Sequence, residues 1–240
     1  MQPLVEIRDL RYRYADGTQA LRGIDFRLDT GETVALFGAN GSGKTTFVLH
    51  LNGLLQGEGS LNICGFPVVK KNLPEIRRRV GIVFQDPDEQ LFMPTVLEDV
   101  TFGPLNLGME QAEAIRRATV ALDRVGMSGA VEKAPYHLSA GEKRRVALAG
   151  VLVMEPEVLV LDEPTTFLDP PGQSDLESLL ESLPQAKLLV THDAAFAARL
   201  ASRAVFFEKG RIRASGPVGE IVAKFHWHAG HPQTERTGSR

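Results

Sequence analysis

The stretch Gly38-Ala39-Asn40-Gly41-Ser42-Gly43-Lys44-Thr45 decides how this chain of 240 residues is interpreted. It matches G-x-x-x-x-G-K-[ST], a glycine-rich loop whose backbone N–H groups surround phosphates. The apolar run 33–37 before it predicts a buried strand, and apolar residues at helical spacing over 46–55 predict a helix. A chance glycine loop would lack this order of strand, loop and helix.

The loop predicts a site for a nucleoside triphosphate. Lys44 can reach the β- and γ-phosphates, and the Thr45 hydroxyl can bind Mg²⁺. The helix that follows adds the positive end of its dipole. We expect nucleotide contacts from these residues: Gly38, Asn40, Gly41, Ser42, Gly43, Lys44, Thr45 and Thr46.

The composition is typical of a globular protein with a mixed surface. Hydrophobic residues make up 43% of the chain and charged residues 24%, and the net charge is -3 at pH 7. This balance gives no electrostatic reason to expect a nucleic-acid partner. No uninterrupted apolar stretch reaches about 18 residues, so at a membrane we expect other chains to do the spanning.

Apolar strands that alternate with helices predict an α/β fold with a mostly parallel sheet covered on both faces. The alternating residues of 5–10 and 24–28 predict N-terminal strands joined through a turn, which suits an antiparallel pair.

The pattern becomes mostly helical over about 86–155. We therefore expect one domain over 1–225, in which core segments 1–85 and 156–225 flank a helical insert. The polar tail 226–240 has no period and is expected to be flexible.

Two carboxylates follow the apolar run Val158–Leu161. Because the carboxyl ends of parallel strands face the ligand crevice, Asp162 would lie beside the Mg²⁺ held by Thr45. Glu163 would be placed to polarise an attacking water. The alternative is a strand that simply runs into an acidic turn.

The segment Leu138-Ser139-Ala140-Gly141-Glu142 is a capping box, Ser-x-x-Glu ahead of an apolar run, and it predicts a helix start. A capped helix N-terminus with a serine hydroxyl and a glycine amide is also an anion site. Because it lies in the helical insert, we expect it to meet the phosphates of a second copy and not those of its own chain.

These motifs together resemble the ATP-binding cassette (ABC) ATPases over residues 4 to about 225. Leu138–Glu142 is similar to their signature, usually Leu-Ser-Gly-Gly-Gln or -Glu, with Ala140 where glycine is usual. The resemblance implies a phosphate-loop ATPase core with a helical subdomain, and ATP with Mg²⁺ as ligands. It also implies a head-to-tail dimer, with a second copy or a related ATPase, in which Ser139 and Gly141 of one chain face Lys44 of the other.

The same resemblance assigns two further catalytic residues. Gln85 matches the Q-loop glutamine, which would sense Mg²⁺ and the attacking water and transmit closure to a membrane partner. His192 matches the switch histidine that contacts the γ-phosphate. Without the resemblance, His192 would be interpreted as a neutral histidine at a strand end, with Asp193 capping the next helix.

Tyr14 matches the aromatic residue that stacks on adenine, with Tyr12 as the competing choice and a plain strand aromatic as the alternative. Asp169 matches the D-loop aspartate. It also has the position of a helix N-cap before Pro170, and it can serve both purposes. Phe167 departs from the small residue often found in that loop.

Segments 83–92 and 98–104 resemble the energy-coupling-factor importers, and most of all the ATPase of the cobalt importers. This implies a transmembrane coupling subunit, a separate substrate-binding membrane subunit, and a peripheral location on the cytoplasmic face of the membrane. A groove next to Gln85 would receive the coupling helix, although residues 86–89 can also be a solvated acidic loop. Nickel or a vitamin such as biotin stays open as the substrate.

Other classes fit less well. A DNA-repair or chromosome-maintenance ATPase of this kind needs a long coiled coil between glycine loop and signature, and a ribosome-acting protein usually carries two cassettes. In the tail, His226, His228 and His231 could bind a divalent metal, or they are part of a polar tail.

Overall fold

The computed structural model of the chain describes residues 3–227. Its strands are β1 (Val5–Arg13), β2 (Gln19–Leu28), β3 (Thr33–Phe37), β4 (Glu58–Ile63), β5 (Phe66–Pro67), β6 (Val80–Val83), β7 (Val158–Asp162), β8 (Ala186–Val190), β9 (Arg203–Glu208) and β10 (Arg211–Gly216). Its α-helices are α1 (Lys44–Leu51), α2 (Leu73–Arg79), α3 (Val96–Asn106), α4 (Gln111–Arg124), α5 (Ala140–Leu152), α6 (Pro170–Ser182), α7 (Ala194–Leu200) and α8 (Val218–Lys224).

The strands form two sheets. A 4-stranded sheet has the order β2-β1-β4-β5 and is antiparallel throughout. A 6-stranded sheet has the order β10-β9-β3-β8-β7-β6, parallel from β9 to β6 with β10 as an antiparallel edge. The predicted α/β fold, with antiparallel N-terminal strands and a mostly parallel core sheet, is confirmed.

The central strands are apolar at nearly every position because both of their faces are covered. In β7, Val158 and Val160 belong to a core cluster that includes α1 residues and the antiparallel sheet. Leu159 and Leu161 belong to the opposite cluster, which contains buried residues of α3, α4 and α5. Successive side chains of a strand point to opposite faces, so each face contributes to one core.

Helix α5 lies close to the edge strand β6 because Gly81 has no side chain. A Cβ at this position would overlap Cγ1 of Val151 and lie 3.3 Å from Cγ of Pro156. The glycine therefore fixes how closely the helical part of the chain approaches the sheet.

One helix end differs from the sequence prediction. Helix α1 ends at Leu51, and Gly53 adopts φ 67°, which leaves Leu54 54% exposed. Helix α6 begins at Pro170, and Asp169 caps it by accepting a hydrogen bond from Gly172 N–H at 3.0 Å, as the sequence predicted. Across residues 3–227, no helix has both the length and the apolarity that crossing a membrane requires.

The approach of α5 to β6 predicts that Gly81→Ala lowers the free energy of unfolding by about 1–3 kcal/mol, because an added methyl overpacks the contact with Val151. Gly150→Ala is the matched control within α5, since a Cβ there meets no atom within 4 Å. It should raise stability by about 0.5–1 kcal/mol through helix propensity. Urea unfolding followed by circular dichroism measures both. Equal stability of Gly81→Ala and the parent chain would contradict the close approach.

Candidate nucleotide-binding site

The candidate site lies at the carboxyl ends of four neighbouring strands, β3, β8, β7 and β6. The glycine loop follows β3, and His192 follows β8. Asp162 and Glu163 end and follow β7, and Gln85 comes shortly after β6. Because parallel strands end at one edge of the sheet, residues far apart in sequence meet there.

Most of the predicted nucleotide contacts line one open cavity of about 990 Å³ at this edge. These predicted residues line it: Tyr14, Asn40, Gly41, Gly43, Lys44, Thr45, Thr46, Gln85, Asp162, Glu163 and His192. Gly38 and Ser42 lie within the same loop but do not line the cavity, and Ser42 is buried. Ser139, Gly141 and Asp169 line a separate cavity of about 670 Å³.

The glycine loop needs its glycines for close packing. Gly43, the N-cap of α1, has φ 107°, and a Cβ there would lie 2.8 Å from the carbonyl oxygen of Ala20. A Cβ at Gly38 would overlap the carbonyl oxygen of Phe207. No side chain caps α1, so the N–H groups of its first turn are left for an anion at the helix start.

The ammonium of Lys44 is buried against its own loop. Nζ donates hydrogen bonds to the carbonyl oxygens of Gly38, at 2.5 Å, and Ala39, at 3.1 Å. Burial lowers the pKa of Lys44, and the charges of Glu163 and Asp162 act in the opposite direction. Because both acceptors are neutral, the positive charge is available to a phosphate, and a polyanion fits the loop.

The donor set also fits Mg²⁺. Thr45 offers a hydroxyl, Asp162 a carboxylate and Gln85 an amide oxygen to the same cavity. Oxygen ligands of this kind suit a small hard cation. Burial raises the pKa of Asp162, while Lys44 and Arg144 lower it, so a bound cation would favour the ionised carboxylate.

Glu163 and His192 form a hydrogen-bonded pair of titratable groups in the cavity. Nε2 of His192 lies 3.0 Å from Oε1 of Glu163, and the backbone N–H of His192 donates to Oε2 at 3.2 Å. Burial raises the pKa of Glu163 to about 7, and the charge of Asp162 adds to this. Burial also lowers the pKa of His192, and Lys44 lowers it further. A raised pKa at Glu163 and a lowered pKa at His192 both favour a neutral hydrogen bond between the side chains over an ion pair.

The backbone holds Glu163 in place at some cost. Its φ is 45°, in the left-handed region that a glutamate rarely adopts, and its N–H donates to the carbonyl oxygen of Val190 at 2.8 Å. Asp193, next to His192, caps α7 by accepting from Phe196 N–H at 2.9 Å. The predicted cap at Asp193 and the placement of His192 at the site therefore occur together.

Tyr14 and Tyr12 occupy different environments. Tyr14 lines the cavity, is 37% exposed, and its hydroxyl lies 2.9 Å from the Thr46 hydroxyl. Tyr12 does not line the cavity and packs edge to face against Tyr14 and His50. The position of Tyr14 suits a stacking role, because its partly exposed ring lines the cavity.

The second cavity contains the capping box. The backbone N–H and hydroxyl of Ser139 both lie 2.8 Å from Oε2 of Glu142, and Glu142 N–H donates back to the Ser139 hydroxyl at 3.3 Å. Ala140, the departure from the usual glycine, is exposed. Beside them, Phe167 has φ 65° and is 76% exposed.

Arg144 is a functional candidate that the sequence analysis missed. It is only 3% exposed, and its Nη2 donates to the carbonyl oxygens of Gln85, at 2.7 Å, and Thr166, at 3.3 Å. In the run Lys143-Arg144-Arg145 it reads as a surface residue. Its spacing of four residues from buried Leu148 was the available signal, since i and i+4 share a helix face.

The predicted tail site falls on His228 and His231, which lie outside the described residues, and on His226.

The family model described as "ABC transporter" matches residues 21–166 of this chain. An energy-coupling factor transporter ATP-binding protein, EcfA, of Methanothermobacter thermautotrophicus is 48% identical over 91% of this chain and 72% of its own length. The chain is similar in structure to cbiO1 of Clostridium perfringens, described as part of the ABC transporter complex cbiONQ. That comparison has a TM-score of 0.84 and 38% identity, and covers 94% of this chain and 92% of the other. A dimeric ATP-binding cassette in a post-hydrolysis state, bound to ADP and Pi, gives a TM-score of 0.80 at 26% identity, covering 89% and 98%.

The raised pKa of Glu163 predicts a cost in stability at neutral and alkaline pH. The folded protein keeps this proton up to about pH 7, whereas the free side chain ionises near 4.5. Between these values the folded state binds more protons, so the free energy of unfolding falls as pH rises. Without nucleotide and Mg²⁺, Glu163→Gln should be more stable than the parent chain by up to about 3 kcal/mol at about pH 8, and equally stable near pH 4.5.

Glu113→Gln is the control of opposite sign. Hydrogen bonds from Arg116 and Arg117 lower the pKa of Glu113 to about 2, so this change should remove a small stabilisation present above about pH 4.5. Urea unfolding at several pH values measures both variants. A stability gain in Glu163→Gln that does not depend on pH would contradict the burial of an ionisable group.

Proposed function

The chain belongs to the ABC transporter family of ATPases, and from that premise we propose that it powers an energy-coupling-factor type importer. The observation that carries the proposal is the 48% identity to an EcfA subunit over 91% of the chain. ATP hydrolysis is the activity of the family, and the importer is the use that this similarity supports.

In the proposed reaction, water attacks the γ-phosphate in line with the leaving group. Lys44 stabilises negative charge on the phosphates, and Glu163 orients the water and accepts its proton, assisted by its hydrogen bond to His192. Tyr14 stacks on the adenine. Thr45, Asp162 and Gln85 would hold Mg²⁺, which would supply charge neutralisation on the phosphate oxygens when bound.

We propose that a second chain, either a copy of this one or a related ATPase, completes the site. Ser139, Gly141 and Asp169 line a cavity separate from the one around Lys44. An aromatic side chain as exposed as Phe167 beside that cavity favours a surface that another chain covers. The similarity to a dimeric cassette bound to ADP and Pi supports the same arrangement.

Trans complementation tests the shared site. Lys44→Ala and Ser139→Ala should each be inactive as homodimers, because every site lacks one half. A mixture in equal amounts should recover about a quarter of the parent ATPase activity. In this mixture half of the dimers are mixed, and each mixed dimer has one intact site of two.

Lys44→Ala mixed with Glu163→Gln is the matched control. Both changes lie in the same half, so each site of the mixed dimer carries one of them and activity should stay absent. Steady-state phosphate release measures all mixtures. No recovery with Ser139→Ala would contradict a site shared between two copies.

We propose that an exposed aromatic patch, Phe92 and Phe102, receives the membrane partner. These rings are 62% and 39% exposed and pack edge to face with centroids 4.9 Å apart. Leu105, one turn further along α3, is 42% exposed. Solvent-exposed apolar surface of this kind marks a docking site. The patch also follows Gln85 along the sequence, since Phe92 comes shortly after it. A transmembrane coupling subunit would dock there, with a separate membrane subunit carrying the substrate, and this chain would then lie peripherally on the cytoplasmic face of the membrane.

We propose cobalt as the transported substrate, with nickel and vitamins such as biotin as alternatives. The subgroup resemblance of segments 83–92 and 98–104 supports cobalt. The similarity to a cassette described as part of the cbiONQ complex supports the same subgroup.

Phe102→Asp tests the membrane partner. The change should abolish co-purification of an integral membrane protein while the isolated chain keeps its nucleotide affinity. Val120→Asp is the control, since Val120 is 60% exposed on α4 and outside the patch.

The purified complex in vesicles should take up labelled cobalt when ATP is added on the side of this chain. Uptake of nickel or biotin alone would replace cobalt, and the absence of any co-purifying membrane protein would contradict the importer.

A further inference from the structure

We propose that Trp227 is a positioning residue for His192, an aromatic support that holds the imidazole against Glu163. The inference rests on the proposed role of His192 and extends it to a residue that follows helix α8.

The end of α8 directs Trp227 toward the sheet. His226 adopts φ 50°, and its N–H donates to the carbonyl oxygen of Ala223 at 3.3 Å. The N–H of Trp227 reaches back to the carbonyl oxygen of Val222 at 2.9 Å. These two bonds around a left-handed residue are a Schellman motif, which reverses the chain and sets the next side chain against the protein. The position of Trp227 is therefore built into the fold.

Trp227 packs between the core sheet and the switch histidine. Its ring lies edge to face with Phe206 of β9 at 5.4 Å between centroids, and near Phe37, the last residue of β3, at 6.3 Å. It also lies nearly parallel to the imidazole of His192, with a centroid distance of 5.5 Å and an interplanar angle of 27°. One indole thus connects the end of the strand before the glycine loop to His192.

The stack on Trp227 restricts the His192 side chain, which is otherwise nearly half exposed. The His192 side chain is 45% exposed, and its Nε2 reaches Oε1 of Glu163 at 3.0 Å. An imidazole free to rotate would lose this contact, whereas a flat aromatic surface limits the ring to orientations parallel to it. Trp227 therefore acts on the reaction through the orientation of His192 and does not touch the nucleotide cavity itself.

The indole contributes its ring face and not its donor. Nε1 of Trp227 is buried and has no hydrogen-bond partner within residues 3–227. A phenylalanine would keep most of the flat surface and would leave no unpaired donor. This difference makes a conservative replacement informative.

The matched control is Phe225, which lies in the same turn. Its ring stacks on Phe206 at 3.8 Å with an interplanar angle of 3°, so Phe225→Ala removes comparable packing from the same strand. Phe225 has no ring contact with His192 among the described residues. The two alanine variants therefore separate loss of packing from loss of the stack.

The first test is ATPase kinetics of the full chain. Trp227→Ala should lower kcat roughly ten- to a hundredfold with the KM for ATP nearly unchanged, because a catalytic group is misplaced while the binding loop is intact. Trp227→Phe should restore most of the loss, and Phe225→Ala should keep the parent kcat. Equal losses in Trp227→Ala and Phe225→Ala, or an unchanged kcat in Trp227→Ala, would overturn the inference.

A double mutant separates this inference from the role of His192. In a His192→Ala background, Trp227→Ala should cause no further loss. Normal turnover in His192→Ala alone would remove the proposed role of His192 and the inference with it. An inactive His192→Ala together with a Trp227→Ala that matches Phe225→Ala would overturn the inference alone.

The second test needs no nucleotide. The chain contains a single tryptophan, so its emission reports Trp227 directly. The groups that face or adjoin the imidazole are Glu163, Lys44 and Asp193. As His192 gains a proton, a cation on the indole face should quench the emission, with a midpoint below the ordinary histidine value because burial lowers the pKa of His192. His192→Ala should abolish this titration, and the same titration in that variant would overturn the stack.

Discussion

The constraint on which this structure depends is the burial of the central parallel strands on both faces. Residues of β3, β7 and β8 are almost entirely enclosed, and nearly all of them are apolar, because a buried polar side chain is costly unless it is hydrogen-bonded, as Lys187 of β8 is. Polar chemistry is therefore confined to the points where the strands end. Since the strands are parallel and adjacent, those points form one row, and the phosphate loop, the acidic pair, the histidine and Gln85 meet there.

The same enclosure gives the site its electrostatic character. Burial lowers the pKa of Lys44 and His192 and raises the pKa of Asp162 and Glu163. Each charged form is less stable than it would be in water, so the protein without ligand carries a local instability. Phosphates and a divalent cation are the groups that reverse these shifts, because they supply the charges that the buried residues lack. Affinity for the nucleotide and instability of the free site thus have one physical origin.

Much of the fold and of the site could be predicted because the deciding signals are local. Glycine spacing, apolar runs and the carboxylates after Leu161 indicated the sheet, the loop and the acidic pair, and the capping box gave the start of α5. Contacts between segments that lie far apart in the sequence could not be predicted from such local signals. Arg144 looks like a surface charge until α5 is placed beside Gln85, and Trp227 looks like part of a polar tail until the turn after α8 directs it inward. The end of α1 was overextended because Leu54 fits the helical spacing, although Gly53 breaks the helix.

The hydrogen bonds of Arg144 also limit how α5 can move. One guanidinium joins α5 to the carbonyl oxygens of Gln85 and Thr166, so the same side chain holds the segment after β6 and the loop after the acidic pair. Its Nη1 is buried without a partner in residues 3–227. Because Arg144 is almost completely buried, water cannot replace its hydrogen bonds when α5 tilts. Both bonds must therefore stretch, or be exchanged for others, at the same time. Motion of the helices against the sheet should therefore occur as a step between discrete positions and not as a gradual drift.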